Sequence, residues 1–395
     1  MSVTNRLKSP EVISSALYEV MISVHPGILD LDLNEFRYAL ENLLPEAGWD
    51  TVGLESQETI ERLVSSRDFY ESIQLKPRQG DKIVLDKKIE NLTRMVFLGL
   101  VEGKYTKEWV TARFYFDVRG FIFLPRTIYF TEEVLTHFGQ KPYLCFEKRQ
   151  QRLEYFQGIG YKDFLQANAE IDQVFVEGIK KIVTIRGTPV LITLAGPTAA
   201  GKTEITERLY NEFVKTGKRI TTIEVDNFLL DRELREEKAM GKDSTHFGIF
   251  KNCLEEILQG RQAVIPRYDF VYATSSHDRE GNLRPGCLPL EVKPADIIFM
   301  EGNFPFHIPE IARMIGIKVV YLTDDPIRLK RKWKRDIDYR KKYDPAYFRN
   351  RFFRTQFLRA EDIYRPLMQV CDMVVDTTNA SLWATPEIAN LLNGQ

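Results

Sequence analysis

The sequence predicts an α/β domain with a mostly parallel, doubly wound sheet in its C-terminal half, preceded by an α+β domain. Three observations carry this. From residue 187 onward short apolar runs alternate with helical patterns. The first of those runs leads directly into a glycine-rich loop and a helical pattern. The first half instead combines amphipathic helices with an aromatic, β-branched stretch.

In chain order, a helix is expected from Ser9 or Pro10 through Val24, with Ile13, Ala16, Leu17, Val20 and Met21 on one face. A second starts near Asp32 or Asn34, in LNEFRYALENLL. A third follows Ser56, in SQETIERLV, where Ser56 and Glu58-Thr59 resemble N-terminal signals. Val110 to Val118 and Phe121 to Phe130 read as strands joined by the tight Arg119-Gly120 link. Phe114, Phe116, Phe121 and Phe123 alternate and read as core. A long helical run from Tyr161 to about Ile185 ends before Gly187, a suitable helix stop. The boundary therefore falls near residue 186, giving domains 1–186 and 187–395. Beyond it VLITLA (Val190 to Ala195), ITTIEV (Ile220 to Val225), DIIFM (Asp296 to Met300) and KVVYL (Lys318 to Leu322) read as strands, the first as a buried parallel one.

Composition removes several classes. Lys plus Arg total 55 against 56 for Asp plus Glu, so a chain built to coat nucleic acid is not expected. Cys145, Cys253, Cys287 and Cys371 lie far apart with no CxxC pair, as free thiols in a reducing compartment do. The five histidines show no metal-ligand spacing. The N-terminus MSVTNRLKSPEV has no apolar h-region, and no apolar run is long enough to span a bilayer. A cytoplasmic protein with no membrane partner is expected.

Gly196-Pro197-Thr198-Ala199-Ala200-Gly201-Lys202-Thr203 fits GxxxxGK[ST] in full. Its glycines let the backbone turn its N–H groups onto phosphates, Lys202 brings positive charge to the β/γ-phosphates, and the Thr203 hydroxyl suits Mg²⁺. Glu204 and the residues after it begin a helix whose dipole favours the anion. ATP and Mg²⁺ are thus the expected cofactors. Asp226, directly after ITTIEV, stands where a parallel strand opens on the ligand crevice. There it can orient or deprotonate an acceptor hydroxyl or hold magnesium through water, or be an ordinary strand-end turn residue. Glu301, after ADIIFM, matches the Walker B position. The run from Asp324 to Asp344 is strongly basic, with Arg331 and Arg335 on one helix face. Such arginines can stabilise charge on a transferring phosphoryl group, whereas most of the lysines read as a solvated surface.

Taken together, GPTAAGKT, VDNF, PRYDF, ADIIFMEG, YLTDDPIRLKRKWKRDIDYR and RAEDIYRPLMQVCDMVV resemble the uridine kinase and phosphoribulokinase family of P-loop kinases, over about Pro189 to Asp376. The resemblance implies ATP- and magnesium-dependent phosphorylation of a small molecule. Uridine or cytidine is the first-named acceptor, and a sugar or sugar phosphate the second. It implies a catalytic base at Asp226, a pocket-lining pair at Tyr268 and Phe270, lid and acceptor-phosphate arginines at Arg331, Arg335 and Arg340, and a magnesium-side acid at Glu301. The family's nucleoside kinases carry a histidine five residues after that tyrosine. Here Ala273 stands there and His277 follows four residues on, as the nearest acceptor-side histidine. THFGIFK, at the segment that should supply an acid for the ribose hydroxyls, has none. Two other readings stay open: an ATP-binding regulatory protein without catalysis, and a transfer RNA prenyltransferase, whose loop GPTAAGKT also resembles. The first domain resembles no named family. Regulation, self-association into a homo-oligomer and partner binding all remain open for it.

Overall fold

The computed structural model describes residues 10–25, 28–29, 31–64, 69, 76–79, 82–84, 87–117, 121–125, 129–146, 161–235, 241–323, 363–377 and 380–394. Described residues up to 125 form one compact unit, and those from 129 onward a second.

The first unit contains helices α1 (Pro10–Val24), α2 (Leu33–Leu40), α3 (Gln57–Val64), α4 (Lys87–Val101) and α5 (Lys107–Arg113). It also contains strand pairs β1 (Lys76–Gln79) with β2 (Lys82–Val84) and β3 (Phe114–Asp117) with β4 (Ile122–Pro125). In α1, Ile13, Leu17 and Met21 recur every four residues and are all fully buried. Helix α2 starts where Asp32 predicts. The Asp32 carboxylate accepts the Asn34 and Glu35 N–H groups at 2.7 and 2.8 Å, and Glu35 accepts the Asp32 N–H at 2.9 Å. This reciprocal capping box satisfies donors that the helix start would otherwise leave open.

The expected long hairpin is shorter than its aromatic pattern. Val110 to Arg113 belong to α5, because the Thr106 hydroxyl caps that helix by accepting the Trp109 N–H at 3.2 Å. Phe114, Phe116, Phe121 and Phe123 are buried, as their alternation predicts. Phe123 lies 5.3 Å from Phe97 and 5.1 Å from Phe116, centroid to centroid, in tilted and edge-on pairs. Phe123→Ala is expected to destabilise this unit by about 3–5 kcal/mol, read from denaturant unfolding followed in the near ultraviolet.

The second unit is built on a seven-stranded sheet in the order β5-β15-β14-β13-β6-β12-β7. Its strands are β5 (Leu144–Cys145), β6 (Val190–Ala195), β7 (Ile220–Glu224), β12 (Ile297–Gly302), β13 (Ile317–Leu322), β14 (Met373–Asp376) and β15 (Ser381–Ala384). The run β14-β13-β6-β12-β7 is parallel, while β15 and β5 pair antiparallel at one side. Four shorter strands stand outside it as pairs, β8 (Ala263–Ile265) with β11 (Leu290–Val292) and β9 (Tyr268–Asp269) with β10 (Thr274–Ser275). The helices are α6 (Glu132–His137), α7 (Tyr161–Arg186), α8 (Lys202–Val214), α9 (Phe247–Leu258), α10 (Pro309–Ala312), α11 (Arg365–Met368) and α12 (Pro386–Asn393).

Strand β6 is buried throughout, and its alternation serves both faces. Val190, Ile192 and Leu194 join a core with α7 and α8, while Leu191 and Ala195 join another with α9. A parallel sheet covered on both sides needs such a continuous apolar run. Residue 186 falls inside this unit. Tyr129, Val134 and Phe138 pack into the core on the α9 side, Ile171, Phe175, Ile179 and Ile182 of α7 fill the other, and β5 pairs with β15. Among the described residues no helix is long and apolar enough to cross a membrane, and the four cysteines are free thiols.

Candidate functional site

The central strand β6 ends at Ala195, and the loop of residues 196–203 follows. Gly196 has φ +151°, and a Cβ there would lie 2.2 Å from the Tyr321 carbonyl oxygen on β13. Only glycine lets the backbone pass so close to the neighbouring strand. Gly196→Ala is therefore expected to cost at least ~2 kcal/mol in thermal or denaturant stability, because loop and strand must part. Ala199 (φ +64°) and Gly201 (φ +106°) complete the turn, and Gly201 is the N-cap residue of α8 with no side-chain cap. Ala200 is buried, and Thr198 and Glu204 are half-buried.

Lys202 opens α8 and is buried. Its Nζ donates to the carbonyls of Gly196 at 2.9 Å and Pro197 at 3.0 Å, so the ammonium folds back over its own loop. Thr203, one residue on, is exposed, and its hydroxyl donates to Glu301 Oε1 at 2.8 Å. Sheet register makes this contact possible. Glu301 near the end of β12 stands opposite Leu194 of β6 and Glu224 of β7. Gly302 is required behind it, since a Cβ there would meet Val225 Cβ at 2.7 Å. Burial pushes the Glu301 carboxyl above the usual range. Lys202 and the Thr203 hydrogen bond pull it down, and Glu224 and Asp226 push it up. The Glu224 carboxyl is also raised, by desolvation and then by Asp226.

Asp226 lies in the single 3₁₀ turn Val225–Phe228 that follows β7, half-buried. The next residue ties this turn to the PRYDF motif, because Asn227 Oδ1 accepts the Tyr268 N–H at 3.2 Å. Tyr268 is buried, its hydroxyl accepts from Arg235 Nη2 at 2.6 Å, and the same guanidinium lies 5.3 Å over its ring. Phe270 meets Tyr268 edge-on at 5.2 Å. Burial holds the Tyr268 phenol above its ordinary range, Arg235 and Arg232 lower it, and Asp226 and Asp231 raise it. Asp226 and Tyr268 therefore share one electrostatic environment.

His277 is buried, its Nδ1 sharing a 2.9 Å hydrogen bond with the Ser276 hydroxyl and its ring 6.1 Å from His246. Burial depresses its pKa, and Asp278 opposes that shift. Arg331, Arg335 and Arg340 lie outside the described residues. Sequence reasoning passed over Glu224, Asn227, Asp231, Arg235, His246 and Arg284. Asp231 ends the same DNFLLD that begins with Asp226, so chain proximity was its available signal. Arg235 and Arg284 carry no motif and reach the site only through folding.

The donor set suits Mg²⁺ with a nucleotide. Magnesium keeps several waters and takes one or two protein oxygens plus phosphate oxygens. Thr203 and Glu301 supply two such oxygens beside a loop whose backbone glycine geometry admits no Cβ at Gly196. Among the described residues no group of three or more His, Cys, Asp or Glu forms a metal cage.

The fold and this loop define a P-loop kinase of small molecules. The chain belongs to the phosphoribulokinase / uridine kinase family, whose model matches residues 191–382. It is 31% identical to the uridine kinase of Brevibacillus brevis over 160 residues, 39% of this chain and 69% of that protein. It is 30% identical over 158 residues to uridine kinase-like protein 4 of Arabidopsis thaliana, spanning 38% of this chain and about a third, 31%, of that longer protein. A solved D-glycerate 3-kinase from Cryptococcus neoformans var. grubii is 13% identical, with 53% of this chain and 97% of that chain covered and a TM-score of 0.38.

Proposed function

We propose that the protein transfers the γ-phosphoryl group of magnesium-bound ATP to a hydroxyl of a small molecule. A uridine- or cytidine-like nucleoside is the first choice, and a sugar or sugar phosphate the second. The observation that carries this reading is the Thr203–Glu301 contact at 2.8 Å, one residue from Lys202. It joins the phosphate loop to the acid at the end of the neighbouring strand. Bound magnesium-ATP supplies the electrophilic phosphoryl group. Lys202 would hold the β/γ-phosphates, and Thr203 and Glu301 would hold the metal. The loop of Gly196, Thr198, Ala199, Ala200 and Gly201 turns its amides to the phosphates, with Glu204 in the first turn of α8 behind it. Asp226 takes the proton of the acceptor hydroxyl. Tyr268 and Phe270 line the acceptor pocket, with His277 as the nearest acceptor-side histidine. Arg331 and Arg335 neutralise charge on the transferring group, and Arg340 contacts the acceptor. These three roles rest on sequence resemblance. The reaction is placed in the cytoplasm, consistent with four unpaired thiols.

The test is magnesium-ATP consumption by the purified protein across nucleosides, pentoses, sugar phosphates and other small alcohols, with Lys202→Ala as control. Stimulation by one acceptor class, absent in the variant, supports the kinase and names its substrate. ATP binding without stimulation by any acceptor would replace it with the regulatory reading.

A further inference from the structure

One carboxylate fastens the loop after Asp226 to the hairpin that carries Tyr268. Asp231 Oδ1 accepts the Ser275 N–H at 2.6 Å. Arg284 grips the same carboxylate with two nitrogens, Nη2 at 2.6 Å from Oδ2 and Nη1 at 3.3 Å from Oδ1. Arg284 also holds the hairpin directly, Nη1 donating to the Ser275 carbonyl at 3.1 Å and its backbone N–H to the Ser276 carbonyl at 2.9 Å. The following residue adds a main-chain bond, from the Arg232 N–H to the Ala273 carbonyl at 2.9 Å. Ser275 is the register partner of Tyr268 across the β9–β10 pair, so a bond to its amide is a bond to the strand opposite Tyr268. The carboxylate is largely enclosed, with its side chain 16% exposed. A forked guanidinium on an enclosed carboxylate fixes orientation as well as distance.

We infer that Asp231 is a positioning residue that sets the distance between the proposed base Asp226 and the acceptor wall of Tyr268 and Phe270. The inference rests on the kinase reading above. Asp231 stands five residues after Asp226, on the loop that continues from its turn. Its partners Ser275 and Arg284 belong to the hairpin and to the segment beyond it. None of its hydrogen-bond partners belongs to the phosphate loop, so ATP binding does not depend on it. Acceptor alignment does, and misplacement of about 1 Å in a reacting pair can cost about 10²-fold.

The test is Asp231→Asn in the full chain, which keeps one oxygen for the Ser275 amide but cannot neutralise the Arg284 fork. The acceptor kcat/KM is expected to fall by about 10- to 100-fold, mostly through kcat, with the ATP KM within about threefold of wild type. Hydrogen exchange is expected to quicken together in residues 226–235 and 268–277 and to stay unchanged in residues 196–203. Arg284→Lys, which keeps the charge and loses the fork, is expected to show the same pattern more weakly and serves where Asp231→Asn does not fold. A rise in the ATP KM parallel to the fall in acceptor kcat/KM, or unchanged exchange in residues 268–277, would overturn the inference. A wild-type protein without acceptor-stimulated turnover overturns the kinase reading instead, and the exchange pattern then decides alone whether Asp231 joins the two segments.

Discussion

Lys202→Ala is expected to lower turnover by about 10²- to 10³-fold and to weaken ATP binding along with it. The range follows from the loss of one positioned donor to transition-state charge, worth about 2.7–4 kcal/mol. Binding falls too, because the same ammonium would hold the nucleotide before reaction. The Gly196 and Pro197 carbonyls hold this ammonium over the loop. The backbone turn depends on Gly196 and Gly201 rather than on this side chain, and the loop should survive the change. Steady-state kinetics and calorimetric ATP titration read the two effects, with a thermal melt to establish folding. A folded variant that binds ATP as wild type does would remove Lys202 from the phosphate site.

Asp226→Asn is expected to lower kcat by about 10²- to 10⁴-fold, the range for a positioned general base, while ATP affinity stays within about threefold. The substitution keeps the shape of the side chain and removes its negative charge and its capacity to take a proton. Asp226 stands beyond the Thr203–Glu301 contact, on the turn whose Asn227 holds the Tyr268 amide. Its loss should therefore strike transfer and spare nucleotide capture, the opposite emphasis to Lys202→Ala. Single-turnover kinetics beside ATP titration separates them. Wild-type kcat in a folded Asp226→Asn protein would sink the base assignment. A large fall in ATP affinity would instead place this carboxylate at the metal.

The elements that were legible in the sequence are those whose pattern is local. The strand Val190–Ala195 announces itself as a buried apolar run, and α2 begins at its Asp32 cap. The phosphate loop is contiguous, so its residue types alone specify its turn. Glu301 was legible because it closes the apolar run that folds as β12 beside β6. Helix α4 was passed over, and the aromatic pattern after it overran into Val110 to Arg113, where the Thr106 cap outweighs β-propensity.

Sequence by itself determined the parallel α/β class, the phosphate loop and the order of the acidic strand ends, because each depends on neighbours within a few residues. Tertiary structure alone decided that residues 129–146 and α7 build the sheet unit, that His277 packs beside His246, and that Asp231 meets Ser275 and Arg284. The contacts of residues 129–146 reach as far as Tyr143 to Asn393, 250 residues apart. Contacts between distant segments depend on how the chain folds back on itself, and no periodicity or spacing along it encodes which side chains will meet.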